Sequence, residues 1–173
     1  MTRRRHRWTR RERQTLAAIA AVVFVFGLAG AHKASSSPSG AGAQAGAVIS
    51  FAAAREGCPY VWGGNGPCGD GYDCSGLVQQ DFLNIGITLP RTSEEQWTAG
   101  PHVSNPQPGD LVFFAGSDGT AEAPGHVGIV TGPNQMIDAY ASGFDVMQQS
   151  FGLPSSMDGV QVVVGYTDPL EGS

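Results

Sequence analysis

Beyond residue 13, this 173-residue chain has almost no positive charge. Only Lys33, Arg55 and Arg91 follow, against fourteen acidic side chains. Phosphate-backbone recognition rests on clustered lysine and arginine. A body this poor in cations excludes that function class, so nucleic acid is not an expected partner. Cysteine is scarce too: Cys58, Cys68 and Cys74 are the whole complement. Their spacing lacks the closely set cysteine pair that structural zinc sites use. No internal repeat is visible, and no apolar run reaches the ~20 residues that span a bilayer. What the chain does have is turn-forming residues. Its 25 glycines and 11 prolines argue against an all-helical fold.

The missing positive charge is concentrated at the start. Seven of the ten basic residues lie in the first thirteen positions, and an apolar run over residues 16–31 follows. That order is the pattern of a secretory signal or of an N-terminal membrane anchor, and Ala29-Gly30-Ala31 has the small-x-small form of a cleavage site. Residues 1–31 are read as one or the other. Both readings put the body outside the cytoplasm with the arginines left inside, and the membrane is a partner if the segment is uncleaved. Residues 32–46 are small and polar and read as a flexible linker. The folded domain is expected over 47–168, with 169–173 as a tail. In an oxidising compartment Cys58 and Cys68 can form a disulfide, leaving Cys74 as the free thiol. Two reduced cysteines are the alternative.

Within the domain, residues 47–56 can form a short helix that Gly57 and Pro59 end. Residues 60–73 are glycine-rich and aromatic, a loop that wraps close to something. From Cys74 to about Asn84, Leu77, Val78, Phe82 and Leu83 recur at helical spacing, and Gly86 supplies a stop. Thr92 or Ser93 can cap a second short helix, with Glu95 or Gln96 closing a capping box. Strands are expected over 111–114, 126–131, 136–140 and 160–166. Gly132-Pro133-Asn134-Gln135 joins the middle two as a hairpin. Helices first and antiparallel strands after make an α+β domain.

Cys74 falls in the first turn of its helix. A cysteine attacks as thiolate, which a helix N-terminus and a neighbouring imidazolium both favour in general. Backbone amides at the same end can receive an oxyanion. His126 begins an apolar strand, and closing the hairpin about residues 132–133 brings a residue near 138 or 139 opposite it. Asp138 is polar inside an apolar run there, and a carboxylate can hold one ring nitrogen while the other serves the thiol. Taken singly, Cys74 reads as a small buried hydrophobe and His126 as an exposed strand residue. Together they read as a nucleophile and its base.

Five ordered motifs carry a family resemblance: Tyr60-Val61-Trp62-Gly63-Gly64, Asp73-Cys74-Ser75-Gly76-Leu77-Val78, Leu89-Pro90-Arg91-Thr92-Ser93, Pro108-Gly109-Asp110-Leu111-Val112-Phe113-Phe114 and Gly125-His126-Val127-Gly128-Ile129. Over residues 47–167 the chain resembles the NlpC-type (NlpC/p60) cell-wall cysteine peptidases. The resemblance implies a papain-like fold, with N-terminal helices packed on an antiparallel sheet. It also implies hydrolysis of peptide bonds in peptidoglycan stem peptides, usually between γ-D-glutamyl and the diamino acid, with no metal or organic cofactor. By that similarity Cys74 is the nucleophile and His126 the general base and later acid. Tyr60, Asp73, Ser75 and Ser93 match positions that contact substrate. Each has a duller reading: Tyr60 as loop packing, the other three as helix caps. The chain departs from the family at the third polar position, usually histidine, which here is Asp138. The rivals are a wall amidase or acyltransferase using the same Cys–His pair, and a non-catalytic wall-binding module.

Overall fold

A computed structural model describes residues 40–116, 119–151 and 162–171. The basic segment, the apolar run and residues 32–39 of the expected linker lie outside the described residues. The elements run α1 (Gly40–Ala53), α2 (Cys74–Leu83), α3 (Ser93–Ala99), β1 (His102–Val103), β2 (Leu111–Phe114), β3 (His126–Gly132), β4 (Gln135–Asp138), β5 (Met147–Ser150) and β6 (Val163–Thr167). The six strands form one sheet in the order β1-β6-β2-β3-β4-β5. Every paired neighbour in it is antiparallel. This is the expected α+β, papain-like arrangement, with the helices preceding the sheet.

The hydrophobic pattern explains the packing. In β2, Leu111 and Phe113 join Val127, Ile129 and Ile137 under the helices, where Leu77, Val78 and Phe82 of α2 meet them. The alternate residues Val112 and Phe114 pack with Val130, Met136 and Phe151 in a second cluster. Period-two alternation therefore loads both faces of the central strands. Each large side chain in these clusters removed from water stabilises by about 1.5–3 kcal/mol. Among the described residues, no helix is long and apolar enough to cross a membrane.

Several elements differ from expectation. The first helix begins at Gly40, not residue 47, so residues 40–46 of the expected linker are helical. Ala45, Val48 and Ala52 are its buried residues. Gly109 also packs so tightly on Ala45 that an added Cβ would come within 2.8 Å. Tertiary packing, not intrinsic propensity, orders this Gly/Ala stretch. At the other end, the expected tail is anchored at its start. Leu170 is 7% exposed and belongs to the main core, and Asp168 Oδ1 accepts from the amides of Leu170 and Glu171. Strands β1 and β5 have no counterpart in the sequence pattern, because Met147-Gln148-Gln149-Ser150 lacks apolar alternation. The last strand is Val163–Thr167, ending one residue later than expected; positions 160 and 161 lie outside the described residues.

The loop before α2 is held from several sides. Cys58 and Cys68 form a disulfide, with Cα atoms 5.0 Å apart. The guanidinium of Arg55 donates to Asp81 in α2 and, over 2.9 Å, to the Tyr72 hydroxyl. It also lies 5.3 Å from the Tyr72 ring centroid. Burial pushes the Asp81 carboxyl up to about 7 against the lowering pull of Arg55. Gly76 completes the fit, since a Cβ there would collide with the Gly64 carbonyl oxygen. Only glycine lets the loop come that close to the helix.

Candidate active site

Two constructions meet at the thiol. The first is local. Asp73 is the N-cap of α2, and its Oδ1 accepts from the Gly76 amide at 2.7 Å. That cap leaves Cys74 as the first helical residue, where backbone amides have no intrahelical acceptor and face outward. Arg91 clamps the cap with both arms, Nη1 to Oδ1 at 2.9 Å and Nη2 to Oδ2 at 2.7 Å. It also donates to Ser75 Oγ at 3.0 Å and to the Gly64 carbonyl at 3.2 Å. The fork-to-carboxylate geometry is the strong form of such a bond. Bonding to Asp73 raises the Arg91 pKa above its ordinary value, outweighing burial, with smaller help from the charges of Asp73, Cys74 and Tyr60.

The second construction crosses strands. His126 opens β3, and its Nε2 sits 2.7 Å from Asp138 Oδ2. The register pairs Ile129 with Ile137 and Val130 with Met136, with a bulge before Gly132. One step further puts Gly128 opposite Asp138, so Asp138 is the diagonal neighbour of His126, not its direct partner. The bulge and the tight Pro133-Asn134 turn, with Asn134 at φ 55°, account for the shift. Gly128 clears the diagonal: a Cβ there would lie 3.3 Å from Asp138 Cβ and 2.7 Å from Met136 Sδ. Asp138 is 0% exposed, and its other oxygen accepts from Gln149 Nε2 of β5 at 2.7 Å.

The Cys74 sulfur is within hydrogen-bonding reach of the His126 ring. With Nε2 on Asp138, Nδ1 is the nitrogen left for the thiol. Burial of the ring opposes its charge. The hydrogen bonds to Asp138 and Cys74, and the charges of both, overcome that and carry the imidazole up to about 10. The ring therefore holds a proton near neutrality.

The site opens into a cleft of about 340 Å³, lined among others by Tyr60, Trp62, Cys74, Arg91, Ser93 and Glu94. Tyr60, Asp73, Ser75 and Ser93 all border it. Ser93 is the first residue of α3, not its cap; Thr92 takes that role, with Glu95 closing the capping box. The Asp73 carboxylate is already engaged by Arg91, Ser75 Oγ and the amides of Gly63 and Gly76. Sequence reasoning gave no role to Arg91 or Gln149. One of only two arginines in an acidic body was a usable signal for the first, whereas nothing in the sequence marks the second. Among the described residues, no group of three or more His, Cys, Asp or Glu side chains is placed to hold a metal ion.

A thiol at a helix N-terminus, faced by a carboxylate-held histidine on an antiparallel sheet, defines a papain-like domain. The chain matches the NlpC/P60 family over residues 57–156 and belongs to that family. It is 47% identical over 98 residues to the bifunctional muramidase/DL-endopeptidase CwlT of Bacillus subtilis, covering 56% of this chain and 29% of that protein. It is 43% identical over 98 residues to the gamma-DL-glutamyl hydrolase of the same organism, covering 55% and 23%. The structure of the peptidoglycan hydrolase RipB from Mycobacterium tuberculosis superposes with a TM-score of 0.60 at 30% identity, over 75% of this chain and 66% of that one. The chain thus spans less than a third of the length of the two Bacillus relatives.

Proposed function

We propose that this protein is a cysteine peptidase that hydrolyses peptide bonds in peptidoglycan stem peptides, at the γ-D-glutamyl–diamino acid bond. The observation that carries the reading is the buried relay from Asp138 through His126 to Cys74, opening on a cleft. The names of its relatives, a DL-endopeptidase, a γ-DL-glutamyl hydrolase and a peptidoglycan hydrolase, support the substrate class. In this reading the Cys74 thiolate attacks the scissile carbonyl, and the free amides at the start of α2 receive the oxyanion. The His126 imidazolium then gives its proton to the leaving nitrogen, the C–N bond breaks, and a thioester remains. Neutral His126 next takes a proton from water, hydroxide adds to the thioester, and the thiolate leaves with the imidazolium restored. Asp138 holds the ring throughout, while Tyr60, Ser75 and Ser93 line the substrate's path.

Export fits the same reading. Residues 1–31 serve as signal or anchor, 32–39 as a tether, and the Cys58–Cys68 bridge suits an oxidising compartment. The test is incubation of the protein with muropeptides, read by mass spectrometry. New L-Ala-D-Glu ends are expected. Separated sugar and peptide would point to an amidase instead. Intact muropeptides with wall binding retained would sink the enzymatic reading.

A further inference from the structure

A buried carboxylate that must face one partner has a problem of its own. Its terminal torsion is broad and roughly two-fold, so either oxygen of Asp138 can turn toward His126, and the oxygen turned away would be left without a bond at a position buried from solvent. An unpaired oxygen there costs more than an ordinary hydrogen bond returns. Gln149 removes both difficulties. Its Nε2 donates to Asp138 Oδ1 at 2.7 Å, while Oδ2 stays 2.7 Å from His126 Nε2. Asp138 pairs with Met147 across β4 and β5, which makes Gln149, two residues on, its diagonal neighbour on the same side of the sheet. The strand that brings the amide is itself pinned alongside, with Gln135 Nε2 donating to Ser150 Oγ at 2.6 Å. A neutral amide suits the place, since a lysine or arginine would compete with the imidazolium for the carboxylate's charge.

We propose that Gln149 is a positioning residue of this site, holding the Asp138 carboxylate so that His126 is kept protonated and aimed at Cys74. The inference rests on the proposed peptidase reading, yet its test needs no substrate. The groups facing His126 are Cys74 from α2, Asp138 from β4, the Tyr140 ring just beyond β4 at 6.0 Å and the apolar Phe114 ring of β2 at 5.7 Å. None of them belongs to β5, so Gln149 reaches the ring through Asp138.

The experiment titrates His126 in the full chain by histidine-labelled NMR, and measures the rate at which iodoacetamide alkylates Cys74 across pH. Both are read in the wild type, in Gln149→Leu, in Asp138→Asn and in the double variant. Gln149→Leu should lower the His126 midpoint by about one pH unit, the scale of one charge-assisted hydrogen bond. The alkaline limit of the alkylation profile, where the imidazolium beside Cys74 is lost, should fall by the same amount. Alkylation on the acid side of neutrality, where the ring is protonated in both proteins, should be unchanged. In the Asp138→Asn background the same substitution should add nothing, because the path it acts through is gone. An unchanged titration and alkylation profile in Gln149→Leu overturns the proposal, and so does an equal loss in both backgrounds. If the leucine variant does not fold, Gln149→Met, which matches glutamine in length, carries the same comparison. Failure of both to fold would make Gln149 a structural residue and overturn the proposal as well. Failure of the muropeptide test with these shifts intact would reject the substrate and leave the positioning role standing.

Discussion

The two halves of the site are built on opposite principles. The helix half, Asp73, Cys74, Ser75 and Gly76, is contiguous in sequence and capped by a hydrogen bond within three residues, with Gly63, Arg91 and Gln96 as its more distant partners. The sheet half gathers His126, Asp138 and Gln149 from three strands, and its geometry depends on register. A cap is robust because its partners are chain neighbours. A cross-strand relay is fragile, because a shift of one residue turns every side chain to the other face. The proposed nucleophile therefore stands on the secure half and its proposed base on the sensitive one.

Cys74→Ala should break the comparison most completely. It is expected to abolish muropeptide cleavage while leaving the melting temperature near the wild-type value, which mass spectrometry and calorimetry would check. Asp138→Asn comes next. It keeps the shape but not the charge, and should lower kcat/KM by about 10²–10⁴-fold with little change in KM, the range seen when a histidine loses its orienting acid or its proton transfer. On the helix side, Arg91→Lys should cost about 1–3 kcal/mol of stability, since an ammonium cannot replace a forked guanidinium on Asp73. Urea unfolding would measure it, and a variant as stable as the wild type would show that the clamp is dispensable.

A further effect lies in the pH dependence of stability. His126 titrates at about 10 in the folded protein, above its ordinary 6.5. Its contribution is therefore complete below about pH 6.5 and is lost as pH rises toward 10. Asp81, raised by burial from 3.8 to about 7, imposes a cost that is absent below 3.8 and full above 7. Both signs agree, so the urea midpoint should be higher at pH 6 than at pH 9. The difference should shrink in Asp138→Asn, which removes the carboxylate charge that helps raise His126. A midpoint that climbs with pH would contradict both assignments.

Legibility followed the same division. The cap at Asp73, the helix Cys74–Leu83 and the capping box at Thr92 and Glu95 could be read directly, because local hydrogen bonding and helical spacing write themselves into neighbouring residues. Strands β2 and β3 were legible through their apolar runs. Asp138 was found through the hairpin, yet as the direct partner of His126; the bulge that makes it the diagonal one leaves no mark in the sequence. Strand β5 was invisible because its residues are polar and an edge strand need not alternate. Gln149 went unseen with it. The helix over 40–46 looked like linker, since glycine and alanine show no amphipathic stripe until a core gives them something to pack against.

The sequence alone determined the place of Cys74 at the start of a capped helix, the acidic balance of the body and the family membership signalled by five ordered motifs. All are set by residue type or by contacts within a turn or two of chain. Tertiary structure alone decided that Arg91 saturates Asp73, that Cys58 bridges Cys68, and that Asp138 reaches His126 on the diagonal with Gln149 behind it. Those choices depend on how strands slide and loops close. The free-energy differences involved come from packing spread over the whole domain, and no single stretch of residues encodes them.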